Sequence, residues 1–201
     1  SNPLEKAGSG ACNENAAPCQ FSFMERICVF LSSKANLPEN YVQAAIDVAT
    51  WIGKSGRTLV YGGSRAGLME TLATTVRENG GRVIGVVPQA VVNRDLVSDA
   101  STTVFYTADL QDRKSTFMRE SEAFVALPGG IGTLDEVFTV LATKTLEKYK
   151  RRVVLYNAGG CWDELIKMID TLSANGLITE RREDLLSVAN NIEELEHLLS
   201  E

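Results

Sequence analysis

The sequence predicts one α/β domain, in which a doubly wound parallel sheet carries helices on both of its faces. From residue 26 onward, short apolar runs alternate with segments of helical apolar spacing, and repeated βα units of this kind build parallel sheets. The chain has 201 residues and 44% hydrophobic composition, enough for one well-buried domain. We expect this domain over residues 23–201. Residues 1–22 lack any apolar period and are expected to form a flexible extension.

The strands are predicted from short runs of apolar and β-branched residues. The third ends at Pro88 and the fifth at Pro128, because proline cannot donate a hydrogen bond to a neighbouring strand. The fifth is wholly apolar and is expected to be buried on both faces. In chain order the strands are predicted at 26–31, 58–61, 82–87, 102–106, 123–127, 152–156 and, more briefly, 185–188.

The helices are predicted from apolar residues that recur with helical spacing. Asp109 is expected to cap the third helix, and glycines at positions 56, 80 and 176 end three others. Residues 89–101 are expected to form a long connection. The helices are predicted at 38–54, 68–78, 110–122, 134–149, 162–175 and 191–200.

The most informative stretch is 123–136, where the fifth strand runs into the turn Pro128-Gly129-Gly130-Ile131-Gly132-Thr133. Its glycines allow a sharp turn and close approach to a ligand. The helix that follows places Gly130 to Thr133 at a helix N-terminus, which favours an anion, most often phosphate. Glu136 adds a carboxylate beside this position and indicates chemistry on the group that carries the phosphate. The alternative is a helix that simply packs tightly on its strand.

A second glycine turn, Gly62-Gly63-Ser64-Arg65-Ala66-Gly67, follows the second strand. Turns after parallel strands lie at the same carboxyl edge, and ligands bind there at the point where the strand order reverses. Two such turns predict a phosphorylated ligand that is held from two sides. Close packing of helix on strand is again the alternative.

Composition excludes several classes of function. The formal charge is −6 and no basic stripe is present, which argues against a nucleic-acid binder. The four cysteines contain no CxxC pair and there is a single histidine, so we expect no zinc site. No cofactor is expected either. No segment has the length and apolarity of a membrane span. A reducing, cytoplasmic location is therefore expected, without a membrane partner.

Arg113 and Lys114 lie near the start of the helix at 110–122. That helix leads into the strand that ends at Pro128. Its start is therefore expected at the edge of the sheet opposite to the glycine turns. Taken alone, the pair is typical of surface charge.

Four segments of the sequence form a recognisable set. They are Tyr61-Gly62-Gly63…Gly67-Leu68-Met69, Gly85-Val86-Val87-Pro88, Arg113-Lys114…Met118, and the PGGxGTxxE motif from Pro128 to Glu136. Together they resemble the Lonely Guy (LOG) family of cytokinin riboside 5′-monophosphate phosphoribohydrolases, long labelled as lysine decarboxylases. The likeness runs from about residue 26 to 178.

The resemblance implies a Rossmann-like fold, a homodimer, and hydrolysis of the N-glycosidic bond of a nucleoside 5′-monophosphate to free base and ribose 5-phosphate. It assigns Arg113 and Glu136 as the catalytic pair, and we expect Arg113 to keep Glu136 ionised. The family's active site lies near the dimer interface, which would bring Arg113 to it. The substrate-binding residues implied are Ser33, Gly62, Gly63, Asp95, Lys114, Met118, Gly129, Gly130, Ile131, Gly132, Thr133, Leu134 and Asp135.

The chain departs from the family pattern in three places. Leu31-Ser32-Ser33-Lys34 replaces Cys-Gly-Ser-Ser, so Lys34 is either extra positive charge at the phosphate edge or a solvated loop residue. Ser64 and Glu70 replace glycines. Residues 142–147 replace Thr-Trp-x-Gln-Leu-Gly, which predicts a changed base-side wall or dimer contact.

Two other functions compete with the hydrolase. Molybdenum-cofactor carriers resemble this family, and a nucleotide or cofactor carrier would need the glycine turn but not the carboxylate. A pyridoxal-phosphate lysine decarboxylase would need a Schiff-base lysine with a pyridinium partner, which the sequence does not suggest.

Overall fold

The computed structural model describes residues 24–147 and 149–201, so the extension predicted over residues 1–22 lies outside the described residues. Seven strands form one sheet in which every pair is parallel. They are β1 (Arg26–Phe30), β2 (Thr58–Tyr61), β3 (Arg82–Pro88), β4 (Thr103–Thr107), β5 (Ala123–Ala126), β6 (Arg152–Tyr156) and β7 (Ser187–Ala189).

The helices of the described residues are α1 (Glu39–Lys54), α2 (Gly67–Glu78), α3 (Gln89–Val92), α4 (Leu110–Glu120), α5 (Ile131–Glu147), α6 (Asp163–Ala174), α7 (Arg182–Leu185) and α8 (Ile192–Ser200). As expected, Asp109 caps α4 by accepting a hydrogen bond from the Asp112 backbone N–H at 2.9 Å. Among the described helices, none combines the length and the apolar character that crossing a membrane requires.

The strand order is β4-β3-β2-β1-β5-β6-β7. The chain winds outward from β1 to β4, returns to the centre as β5 beside β1, and then winds outward the other way. The order therefore reverses between β1 and β5, and the connections that leave these two strands diverge at the carboxyl edge.

Two apolar clusters cover the two faces of the sheet, and successive residues of β1 alternate between them. Ile27 and Val29 join a cluster that includes residues of α1, α2 and α8, whereas Cys28 and Phe30 join one that includes residues of α4, α5 and α6. This alternation is the two-residue period of a strand. Since β1 and β5 are covered on both faces, their residues are almost wholly apolar. The predicted doubly wound α/β fold with helices on both faces is confirmed.

Three local predictions were wrong. The connection at 89–101 contains the one-turn helix α3. The predicted last strand at 185–188 begins two residues later, because Leu185 completes the short helix α7. Helix α5 begins at Ile131 rather than Leu134. The first turn of α5 contains Gly132, a residue that disfavours helix, so the sequence placed the start of the helix at Leu134.

Candidate active site

A cavity of about 390 Å³ opens at the carboxyl edge of the sheet, at the point where the strand order reverses. Its walls come from the ends of β1 and the loop that follows, from the turns after β2 and β5, and from the connection after β3. Arg113 and Phe117 of α4 and Glu136 of α5 also reach it. Segments far apart in the chain therefore meet where α/β sheets usually bind their ligands.

The turn after β5 forms one side of this cavity. Thr133 is buried in the first turn of α5, and its side chain occupies the space that a Cβ at position 129 would need. Cβ atoms at Gly130 and Gly132 would instead meet open space. The first backbone N–H groups of a helix have no partner within the helix, and together with the helix dipole they favour an anion. The geometry is compatible with an anion, and the binding of a phosphate here stays a prediction.

The glycines after β2 serve a different purpose. A Cβ at Gly62 would overlap the guanidinium of Arg113, and a Cβ at Gly63 would overlap the side chain of Val87. Gly67 has a positive φ of 49° and packs against the backbone carbonyl of Lys34. Of these three glycines only Gly62 lines the cavity, so close packing, the alternative considered for this turn, explains the other two.

Arg113 is held by backbone carbonyls. Its Nη2 donates to the Gly62 carbonyl at 2.6 Å and its Nε donates to the Val86 carbonyl at 3.1 Å, while its guanidinium carbon lies 5.4 Å from the centre of the Phe117 ring. The expectation that the start of α4 lies across the sheet was wrong. A helix that follows a parallel strand begins at the edge where that strand ends, so α4 starts at the carboxyl edge and brings Arg113 to the cavity within one chain.

Glu136 is partly buried, one and a half turns into α5. Burial raises the pKa of its carboxyl from the ordinary value of 4.5 to about 7, against an opposing effect of the positive charge on Arg113. Burial likewise lowers the pKa of Arg113, against the effect of Glu136. Arg113 thus acts in the expected direction, but burial has the larger effect, so the carboxyl loses its proton near pH 7 rather than well below it. That Arg113 keeps Glu136 ionised stays a prediction. A group that titrates near neutrality is suited to proton transfer.

The predicted site residues divide into two groups. Lys114 donates to Asp135 at 3.2 Å and joins α4 to α5 beside the cavity rather than in its wall. Asp95 has an exposed side chain that pairs with Arg65 at 3.4 Å. Of the site residues predicted from the sequence, those that line the cavity are Ser33, Gly62, Arg113, Gly130, Ile131, Gly132, Thr133 and Glu136. Those that lie outside its lining are Gly63, Asp95, Lys114, Met118, Gly129, Leu134 and Asp135.

Sequence reasoning missed three residues that reach the cavity from the connection after β3, namely Val91, Arg94 and Leu96. The family resemblance could have pointed to this connection, because it implies a substrate-binding residue at Asp95, next to Arg94. Residues 142–147, in contrast, occupy the far end of α5 and do not line this cavity. Seven helical residues, or about 10 Å, separate Glu136 from Thr143. A base-side wall from these residues is therefore absent within this chain, and their role as a dimer contact stays a prediction.

Comparison with known proteins agrees with these observations. The family model described as possible lysine decarboxylase matches residues 69–199. The cytokinin riboside 5′-monophosphate phosphoribohydrolase LOG5 of Arabidopsis thaliana is 34% identical over 87% of this chain and 76% of its own length. The probable cytokinin riboside 5′-monophosphate phosphoribohydrolase LOGL9 of Oryza sativa subsp. japonica is 35% identical over 98% of this chain and 86% of its own length.

Solved structures show the same fold. The molybdenum cofactor carrier protein of Chlamydomonas reinhardtii superposes with a TM-score of 0.66 at 28% identity, over 88% of this chain and 98% of that one. The molybdenum cofactor binding protein of Rippkaea orientalis gives a TM-score of 0.66 at 22% identity, over 88% of this chain and 95% of that one.

Proposed function

The chain belongs to the Lonely Guy family, and on that premise we propose that it hydrolyses the N-glycosidic bond of a nucleoside 5′-monophosphate of the AMP or cytokinin riboside monophosphate type. The products are the free base and ribose 5-phosphate. The observation that carries the proposal is that Arg113 and Glu136 share one cavity with the turn from Gly130 to Thr133. The phosphoribohydrolase names of the relatives support the same reaction.

In this proposal the turn from Gly130 to Thr133 binds the 5′-phosphate. Glu136 follows Thr133 by less than one helical turn, so a ribose fixed by its phosphate can present C1′ to the carboxylate. Holding the reacting groups in this way removes much of the entropic barrier to reaction. The glycine turn thus serves catalysis by positioning.

Glu136 acts on the bond that breaks. Departure of the base leaves positive charge on the ribose ring, as in glycoside hydrolysis, and a nearby carboxylate stabilises that charge. The same carboxylate accepts a proton from the water whose oxygen attacks C1′, while the C1′–N bond breaks and the base leaves with its electron pair and takes up a proton. Water is thereby divided between ribose 5-phosphate and the base.

Arg113 makes the carboxylate available. Its two hydrogen bonds to backbone carbonyls fix a positive charge near Glu136, which lowers the pKa of the carboxyl against the effect of burial. We propose in addition that Lys114 and Asp135, paired across α4 and α5, hold the two helices at the spacing the site needs. The homodimer implied by the family resemblance belongs to the same proposal.

The test is release of free base and ribose 5-phosphate from AMP, N6-isopentenyl AMP, GMP, CMP, IMP and UMP, followed by chromatography. Glu136→Gln should lower kcat by about 10²–10⁴-fold, the range for loss of a general base. Glu78→Gln removes an exposed carboxyl at the end of α2, outside the cavity lining, and should leave kcat unchanged. Failure of the wild-type protein to cleave any of these nucleotides would contradict the proposal, and tight binding without cleavage would favour a carrier.

A further inference from the structure

The loop between β1 and α1 is fixed to both glycine turns. The Ser32 N–H donates to the carbonyl of Pro128 at 3.1 Å, which joins this loop to the end of β5. The Leu68 N–H donates to the carbonyl of Lys34 at 3.3 Å, which joins it to the start of α2. The Lys34 N–H in turn donates to Ser32 Oγ at 3.0 Å. The backbone of Lys34 is therefore held between the two turns, at the point where the strand order reverses.

Lys34 is among the residues that line the cavity, and its charge is opposite to that of the ligand proposed for this site. The cavity contains three cations, Lys34, Arg94 and Arg113, and one carboxylate, Glu136. Arg113 is engaged by two backbone carbonyls. Within the described residues, none of the ion pairs includes Lys34 or Arg94. Two cations with no carboxylate partner thus belong to the lining of a cavity that also contains the N-terminus of α5.

This charge matches a phosphate monoester. Such a group carries a charge of about −1.5 to −2 at pH 7. The N-terminus of α5 supplies only about half an elementary positive charge. Two further cations bring the positive charge close to that of a dianion, whereas a neutral nucleoside would gain nothing from them. Lysine is well suited to this task, because its ammonium binds phosphate as a compact point charge.

We propose that Lys34, assisted by Arg94, binds the phosphate of the substrate and restricts this enzyme to phosphate monoesters. The inference rests on the proposed function and deepens it, because it assigns substrate selection to a residue that stands where the family pattern has serine. Lys34 then acts in binding rather than in bond cleavage.

The first test compares Lys34→Ser, Lys34→Arg and the wild-type enzyme on the best nucleotide of the panel. Lys34→Ser should raise KM by about 10- to 100-fold, the effect of losing one charge-assisted hydrogen bond, with kcat changed less than about threefold. Lys34→Arg keeps the charge and should restore most of the affinity. Lys54→Ser, an equal charge change at the exposed end of α1, is the matched control.

A second measurement does not depend on catalysis. Calorimetry of ribose 5-phosphate, with ribose as the uncharged comparison, should show binding to the wild-type protein that weakens by the same factor in Lys34→Ser. If the wild type cleaves nucleotides but Lys34→Ser keeps its KM and its affinity for ribose 5-phosphate, the role of Lys34 is refuted and the hydrolase stands. If no nucleotide is cleaved but Lys34→Ser loses ribose 5-phosphate, the hydrolase is refuted and the anion site stands.

Discussion

Replacing Glu136 by glutamine should lower activity strongly and stabilise the fold relative to the wild type, by an amount that grows with pH. The folded protein holds the Glu136 proton more tightly than the unfolded chain, since the pKa rises from 4.5 to about 7 on burial. The wild-type protein therefore loses stability as pH rises through this interval, because ionising the buried carboxyl costs free energy. Glutamine does not titrate, so the Glu136→Gln protein escapes that loss.

The size of the effect follows from the same two values. At about 1.4 kcal/mol for each unit of pKa, a rise from 4.5 to about 7 corresponds to about 3 kcal/mol in full, of which about 2–3 kcal/mol develops between pH 5 and pH 8. Any constant cost of burying the glutamine amide cancels when the two pH values are compared. The quantity to examine is thus the change in the mutant–wild-type difference rather than the difference itself.

Urea denaturation at pH 5 and pH 8, at equal ionic strength and protein concentration, measures this quantity. The free energy of unfolding of Glu136→Gln relative to the wild type should be larger at pH 8 than at pH 5. Glu78→Gln, which removes an exposed carboxyl at the end of α2, controls for the change in net charge. An equal difference at the two pH values would refute the claim that burial dominates the environment of Glu136.

Two further predictions concern catalysis. The kcat/KM of the wild-type enzyme should rise with pH and level off above about 7, because the reaction uses the ionised form of Glu136; a profile that falls over this range would mean that the protonated carboxyl is the active form. Gly62→Ala should lower kcat, because the added methyl displaces the Arg113 guanidinium, whereas Gly130→Ala, whose methyl enters open cavity space, should mainly raise KM. Steady-state kinetics of both variants checks this, and the opposite division between kcat and KM would contradict the roles given to the two turns.

The sequence predicted the fold well because its signals are local. The strands at 58–61 and 152–156 were predicted with the bounds that the structure shows, since each is a short apolar run between clear helix ends. Helix α3 escaped prediction because a single turn of helix is too short to show an apolar period. The start of α5 escaped because Gly132, which disfavours helix, stands in its first turn.

The candidate site was predictable only in part. Gly130, Thr133 and Glu136 belong to one continuous motif, so their proximity follows from the sequence. The placement of Arg113 depends on the edge of the sheet at which α4 starts. Because α4 follows β4, it starts at the carboxyl edge. The sequence predicts this only when the helix is related to the strand before it rather than to the strand after it. The position of Arg94 at the cavity arises where distant segments meet, and the raised pKa of Glu136 arises from burial, and no local pattern reports either.

The net charge of the whole molecule and the charge of its cavity have opposite signs, which affects how a charged ligand approaches. The chain carries a formal charge of −6, yet cations outnumber carboxylates in the cavity at the carboxyl edge. At physiological ionic strength the field of exposed charges fades within about 8 Å, whereas a concave site with walls of low dielectric constant concentrates its own field. A phosphate ester is therefore repelled weakly by the surface at large and attracted only at the mouth of the cavity. We therefore expect recognition of a ligand phosphate to be a short-range event.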